Sequence, residues 1–490
     1  MKKGVAMLNA ASIHNMPQLL TALEAHTADR VFLKYMEGTQ VHDVAAPDFF
    51  DLVRGMSAAL SEKGLSGRHI GIMGANRVQW LAGFCAVFCV GGVAVLLSPD
   101  LNSRELAERA AQADAEGLLF DDTLSETVRG AGLPGGFVSI NLDAPLPERA
   151  AAPALPHPAP EELACILFTS GTTAAAKAVM LSHRAMVAGV CHNVIGHPFI
   201  AQLAILPFHH VAGFASVLNT WYLDAVACLG RDFKYLYRYL EHMKPDYTLT
   251  VPSILQVILH KLKKGGPNGR ALGWDLHLIG CGGAKFQPEV IQFLNDRGIR
   301  VLQSYGATEA GGLGFDWEMT PGCRDTMGKP CPEIETKIVD GELYLRSDSV
   351  MMGYYKDPAA TAEVLKDGWY ATGDLCEQDS DGYLYLRGRK KNLIILSNGE
   401  NVSPEQIETA LSACGEIEEI LVGVEHDRIC ATIYPAAPEY RERIEAYIDN
   451  YNRSVPFYRQ VQCLHFSDRP FAKTEIGKMI RRSVTGGNTP

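Results

Sequence analysis

Phe168-Thr169-Ser170-Gly171-Thr172-Thr173, with Lys177 four residues further on, is the densest run of hydrogen-bond donors in the sequence. Hydroxyls, backbone N–H groups opened by a glycine and a nearby ammonium suit phosphate oxygens. No glycine precedes Lys177, so the Gly-x-x-x-x-Gly-Lys-Ser/Thr phosphate loop is not present. Gln303-Ser304-Tyr305-Gly306-Ala307-Thr308-Glu309 offers a ring that can stack on a flat base and a carboxylate able to help hold Mg²⁺ beside a triphosphate. Gly282-Gly283-Ala284 lets a planar ring approach the backbone. In Tyr370-Ala371-Thr372-Gly373-Asp374 the aspartate can accept two ribose hydroxyls. The tail Phe471-Ala472-Lys473-Thr474-Glu475-Ile476-Gly477-Lys478, with Arg481 and Arg482, gathers positive charge. Each has an ordinary structural reading: a turn, a capped helix start, a close-packed glycine pair, an Asx turn and a solvated face.

The elements around these segments follow an α/β pattern. His69–Met73, Val93–Leu97 and Gly117–Phe120 are expected strands, with Ser103 capping a helix that runs to about Ala113. A connector, Ala144–Pro160, holds six prolines. Further strand-like runs are Cys165–Phe168, Leu203–Leu206, Tyr247–Val251, Leu276–Ile279 and Ile299–Leu302, each ending in a small or polar loop. In open α/β sheets ligands sit beyond the carboxyl ends of strands, where the donor-rich segments fall. After Gly328 the pattern turns to hairpins, with Asp340-Gly341 and Asp381-Gly382 as turns. Ser403-Pro404-Glu405-Gln406 then signals a capped helix with a capping box. Two strand runs, Ile420–Val424 and Ile429–Tyr434, and a polar helix at Glu439–Tyr451 complete the chain. The expected fold is α/β: a large N-terminal domain (1–388) of several α/β sheets with a small β-barrel-like layer, and a small mobile α+β domain (389–490).

Composition narrows the function classes. The chain has 490 residues, too many for one simple core, with 47% hydrophobic and 21% charged residues. Net charge is −11, which argues against a general nucleic-acid or acidic-membrane binder. The 12 cysteines are dispersed without a Cys-x-x-Cys pair, so free thiols in a reducing cytoplasm are expected, with Cys85 and Cys89 in the core. The apolar stretch after Lys2-Lys3 is too short for a signal peptide. Trp80–Leu97 is free of charge over 18 residues, but Gly91-Gly92 divides it into a buried helix and a buried strand rather than a membrane span.

In order and spacing, the Phe-Thr-Ser-Gly-Thr-Thr loop, Ser-Tyr-Gly-Ala-Thr-Glu, Tyr-Ala-Thr-Gly-Asp, Gly-Arg-Lys-Lys-Asn and Lys-Thr-Glu-Ile-Gly-Lys resemble the adenylate-forming superfamily from about residue 30 to the end. The resemblance implies that Thr169, Ser170, Gly171, Thr172, Thr173 and Lys177 cradle ATP phosphates. It implies that Gly283, Ala284, Gln303, Ser304 and Tyr305 hold adenine, that Thr308 and Glu309 serve phosphate and Mg²⁺, and that Asp374 and Arg389 hold ribose. Lys478 matches the lysine bridging carboxylate and α-phosphate, Lys391 the hinge, and Gly399 the pantetheine passage. Around the phosphate loop, Ala174, Ala176 and Ala178 replace the Gly, Pro and Gly usual in the family, which affects how the loop moves.

Pro207-Phe208-His209-His210-Val211-Ala212-Gly213-Phe214 resembles the start of the family's acyl pocket, with His210 at the gate. Amino-acid-activating relatives carry an aspartate where Val211 stands; an ammonium buried there unpaired would cost several kcal/mol. The implied substrate is therefore a fatty or aryl carboxylic acid. Acyl-adenylate formation from ATP, then domain rotation about Lys391 and transfer to coenzyme A, is the expected sequence. Alternatives are a ligase that loads a carrier-protein phosphopantetheine and a non-catalytic nucleotide or acyl-adenylate sensor.

Overall fold

In the computed structural model, which describes residues 8, 10–27, 30–145, 154–169, 176–192, 198–265, 272–282, 288–311, 315–316, 326–397, 400–473 and 479–481, two seven-stranded sheets form the body. One sheet has the order Gly353–Tyr354, Ala178–Ser182, Leu163–Phe168, Val93–Leu97, His69–Met73, Gly117–Phe120, Val138–Asn141. Its last five strands are parallel, and its first two pairings are antiparallel. The other has the order Arg300–Ser304, Leu278–Gly282, Tyr247–Thr250, Ala201–Ala204, Val226–Leu229, Val31–Glu37, Gln40–Ala45, parallel except at the final pair. β-branched and leucine-rich runs make strands buried on both faces, as parallel sheets require.

Aromatic side chains fill the space between. Trp80, Phe84, Phe88, Phe208, Phe214 and Trp221 share one core cluster and are all at most 1% exposed. The charge-free stretch resolves into helix Val78–Cys89, a turn with Gly91 at φ 70°, and strand Val93–Leu97. Among the described residues no helix is long and apolar enough to cross a membrane. The strands anticipated from sequence are present, displaced by up to two or three residues at their ends. Asp340 (φ 50°) and Gly341 (φ 77°) form the turn between Glu335–Val339 and Glu342–Arg346, matching the twist of a tight hairpin.

Past this layer, a three-stranded sheet (Ile417–Glu425, Arg428–Pro435, Cys463–Phe466) packs with helices Pro404–Leu411 and Arg441–Ser454 around a separate core that starts at Ile394 and includes Ile407, Ile433, Ile444 and Ile448.

Three local expectations are corrected. The cap of helix Ser103–Gln112 is Asn102, which accepts from the N–H groups of Arg104 and Glu105, while Glu105 closes a capping box; Ser103 instead donates to the Thr127 carbonyl. Ser403 does not cap helix Pro404–Leu411 with its side chain; its hydroxyl donates to the Arg387 carbonyl, which Gln406 Nε2 also reaches. The thiols are not all free. Cys430 and Cys463 are joined, because the parallel register sets them opposite each other despite a sequence separation of 33. Cys85 and Cys89 are buried core residues as expected, and burial pushes the Cys89 thiol up to about 11.

Candidate functional site

Parallel strands align their carboxyl ends, so the segments that follow them gather along one edge of each sheet. Gly282 and Ser304 are register partners at the ends of neighbouring strands, and a Cβ on Gly282 would lie 2.7 Å from Ser304 Oγ. Glycine is needed there for the chains to approach this closely. Gln303 is the preceding strand residue and pairs with Cys281. Ala201–Ala204, which leads to the 207–214 segment, lies two strands away across Tyr247–Thr250. At the usual strand spacing that places the two loop groups roughly 10 Å apart.

Asp374 and Arg389 face each other in the antiparallel pairing of Trp369–Gln378 with Leu384–Arg389. Arg389 Nε is 2.7 Å from Asp374 Oδ1, and the Tyr305 hydroxyl donates to Asp374 Oδ2 at 2.6 Å. Asp374 is 4% exposed. A hairpin partner, Arg389, and the sequence-distant Tyr305 thus converge on one carboxylate. Burial, then the negative charge beside it, raises the Tyr305 phenol well above its ordinary range and keeps it a donor. Burial opposes the charge on Arg389, but Asp374, Tyr305, Tyr370 and Glu309 outweigh it, so the guanidinium stays charged.

Glu309 and Thr308 sit in a short 3₁₀ turn directly after this tyrosine segment. The Tyr354 hydroxyl donates to Glu309 Oε1 at 3.1 Å, and Lys177 Nζ lies 4.5 Å above the Tyr354 ring. Tyr354 therefore fixes both the carboxylate and the ammonium. Lys391 lies within electrostatic reach of Arg389 and Lys177, and of Glu309 and Asp374. Burial, and then the two cations, push its ammonium below the ordinary lysine range. Three cations, Lys177, Arg389 and Lys391, thus gather beside Glu309 and Asp374 in a chain whose net charge is −11. Such a cluster suits a polyanion.

Thr169 donates its N–H to the Lys177 carbonyl, closing the two ends of the donor-rich loop; Ser170, Gly171, Thr172 and Thr173, with Ala174, lie outside the described residues. The Ala176 carbonyl accepts from Gln112, and Ala178 is a buried strand residue. Neither alanine has a positive φ, so neither needs the freedom of glycine in this conformation. Gly283, Ala284, Gly399 and Lys478 also lie outside the described residues. The flanks of Lys478 are held: Lys473 pairs with Met479 in a β-bridge and with the Glu419 carboxylate, and Arg481 binds Glu408 at 2.6 Å. The basic tail is thus anchored and not a solvated face at these two positions. Burial raises the Glu408 carboxyl while Arg481 pulls it back down.

Residues 21–355 match the AMP-binding enzyme family, and residues 391–486 match the AMP-binding enzyme C-terminal domain. The chain belongs to this family. Indoleacetate–CoA ligase of Aromatoleum aromaticum is 28% identical to it, over 78% of this chain and 80% of that protein. Sulfoacetate–CoA ligase of Cupriavidus necator is 31% identical, over 66% of this chain and 65% of that protein. The same fold occurs in o-succinylbenzoate CoA synthetase of Bacillus subtilis bound to its acyl-adenylate intermediate, with a TM-score of 0.83 and 21% identity over 96% of this chain and 98% of that one.

In this AMP-binding enzyme the 207–214 segment opens helix Val211–Tyr222. His210 precedes it with its ring 4.3 Å from that of His209, and Val211 and Phe214 are buried in the main core while Ala212 faces the second core cluster. Asn76, which sequence reasoning passed over, braces the approach. Its amide donates to the carbonyls of Leu206 and Gly230 and accepts from Phe208 N. Tyr354 was likewise missed; it lies in Gly353–Tyr354, a short strand that pairs with Ala178–Ser182, just after Lys177.

Gly213 is the tightest point of the segment. A Cβ there would lie 2.0 Å from the Pro207 carbonyl oxygen and 3.0 Å from that of Leu206, both backbone. Gly213→Ala should destabilise the protein by about 3 kcal/mol and, if the 207–214 segment borders the acid, distort its binding. Urea unfolding and the KM for the acid measure the two effects; wild-type values for both would show that the 207–213 turn is not rigid.

Proposed function

We propose that this chain is an AMP-forming acid–thiol ligase: it activates a fatty or aryl carboxylic acid with ATP and transfers the acyl group to coenzyme A, releasing pyrophosphate and AMP. The observation that carries the reading is the convergence of Arg389 and the Tyr305 hydroxyl on Asp374, with Lys177 and Lys391 beside Glu309. The donor set fits MgATP. Lys177, with Thr169, Ser170, Gly171, Thr172 and Thr173, would hold phosphates; Asp374 and Arg389 would hold ribose; Tyr305, Ser304, Gln303, Gly283 and Ala284 would line the adenine side; Thr308 and Glu309 would serve phosphate and metal. Magnesium, arriving with ATP, would supply charge neutralisation on the phosphates.

The division into 1–388 and 389–490 is supported by the separate core beginning at Ile394. Lys478 would bring its ammonium to the reacting carboxylate and α-phosphate, and rotation about Lys391 would then withdraw it and expose the face near Gly399 to the thiol. His210 with Val211, Ala212, Gly213 and Phe214 would form the acyl pocket. The buried apolar Val211 supports an acid without an α-ammonium. A role in fatty-acid metabolism and a cytoplasmic location belong to the same proposal.

Acid-dependent ATP–pyrophosphate exchange across a panel of fatty and aryl acids, indoleacetate included, tests the first half-reaction. Acyl-CoA formation against acylation of a carrier protein tests the second. Acylation of the carrier alone would remove coenzyme A from the reading, and absence of exchange with every acid would remove the enzyme.

A further inference from the structure

The C-terminal sheet carries a second cluster of reactive side chains, away from the nucleotide residues. Gly423, Cys430 and Cys463 lie in one row across three strands, and Thr432 and His465 in the next. The two-residue period of strands puts Glu425, Cys430, Cys463 and His465 on one face. Val422, Ile429, Ala431, Leu464 and Phe466, which alternate with them, pack in the domain core on the other.

One donor atom from each of Glu425, Cys430, Cys463 and His465 lies within 4.8 Å of every other. His465 Nε2 is 3.3 Å from Glu425 Oε2, and the two sulfurs are joined. The imidazole and carboxylate pair with each other on the same face as the two sulfurs. Two sulfurs, one nitrogen and one oxygen around a common point are a complete set for a borderline-soft, four-coordinate ion. Metal–ligand distances of about 2.0–2.3 Å for zinc give donor separations of roughly 3.5 Å, which the His465–Glu425 pair at 3.3 Å already meets and the reduced sulfurs would reach by moving apart.

We propose that the reduced chain binds one Zn²⁺ through Cys430, Cys463, His465 and Glu425, and that the joined sulfurs are the oxidised, metal-free form of this site. A phosphine reductant converts one form to the other: the S–S bond gains two electrons and two protons, and the phosphine becomes its oxide with oxygen from water. Zinc then displaces the two thiol protons. His465 and Glu425 side chains are 49% and 41% exposed, which gives the ion its way in. The bound metal would staple Cys463–Phe466, the strand that leads into the Lys473–Arg481 tail, to the rest of its sheet.

Full-length protein, reduced with phosphine in millimolar Mg²⁺ and desalted after exposure to Zn²⁺, should retain one equivalent of zinc by elemental analysis. Co²⁺ in its place should give a thiolate-to-metal charge-transfer band. Cys463→Ser should abolish both. His465→Ala and Glu425→Ala, at exposed positions that leave folding intact, should each weaken zinc affinity at least ~10-fold. No retained zinc in the reduced wild type, a cobalt spectrum without the thiolate band, or unchanged affinity in His465→Ala would overturn the site.

Discussion

Lys478→Ala should lower acid-dependent ATP–pyrophosphate exchange by about 10²–10³-fold while changing thiolysis of pre-formed acyl-AMP far less. A carboxylate and a triphosphate repel each other, and negative charge grows on the phosphoryl oxygens as they join. An ammonium at that point stabilises the transition state more than the separated reactants, so its removal acts on kcat of the first half-reaction. The second half-reaction starts from an uncharged acyl carbon, so no such repulsion has to be offset there. The flanks of this position are fixed from both sides, by Lys473 on Glu419 and by Arg481 on Glu408, so the loss of the ammonium leaves its anchors intact. Measuring the two half-reactions separately decides the role. Equal loss in both would mean that Lys478 serves binding or folding, not adenylation.

What could be read from the residues was mainly local. The charge-free run split at Gly91-Gly92 into helix and strand because a helix interior tolerates neither glycine pairs nor a following β-branched run well. The Asp340-Gly341 turn needed only its two residues and their flanking alternation. Errors were either one residue wide, as with Asn102 in place of Ser103, or came from partners beyond the local window. Ser403 is a good cap by type, but the Arg387 carbonyl, sixteen residues away, competes for its hydroxyl and wins. Asn76 reaches Leu206 and Gly230 across more than a hundred residues, and Glu408 meets Arg481 across 73. No spacing rule reports such contacts. The Cys430–Cys463 pair is the same case: the sequence separation of 33 says nothing until a parallel register aligns the strands. Of the site, the nucleotide motifs were legible through resemblance, whereas the hold that Tyr354 has on Glu309 and Lys177 required the fold.

Asp374→Asn should be the most damaging isosteric change among the residues proposed to hold the nucleotide. The carboxylate is 4% exposed and both oxygens are engaged, one by Arg389 and one by the Tyr305 hydroxyl. An amide has only one acceptor oxygen, so its NH₂ must face one of those two donors. Breaking a buried ion pair costs about 3–5 kcal/mol, but the Arg389 side chain is 37% exposed and water can take over part of its solvation. About 2 kcal/mol of folding stability is therefore the expected loss. The effect on nucleotide binding should be larger, because a charged acceptor for two ribose hydroxyls is replaced by a neutral one; the KM for ATP should rise about 100-fold. A ligand cycle separates the two consequences. Wild-type enzyme should bind ATP far more tightly than its 2′,3′-dideoxy analogue, and the variant should hardly distinguish them, since the contact is already gone. If Asp374→Asn keeps the full preference for the ribose hydroxyls, this carboxylate does not hold the sugar, and its pairing with Arg389 serves only to close the hairpin on which both residues stand.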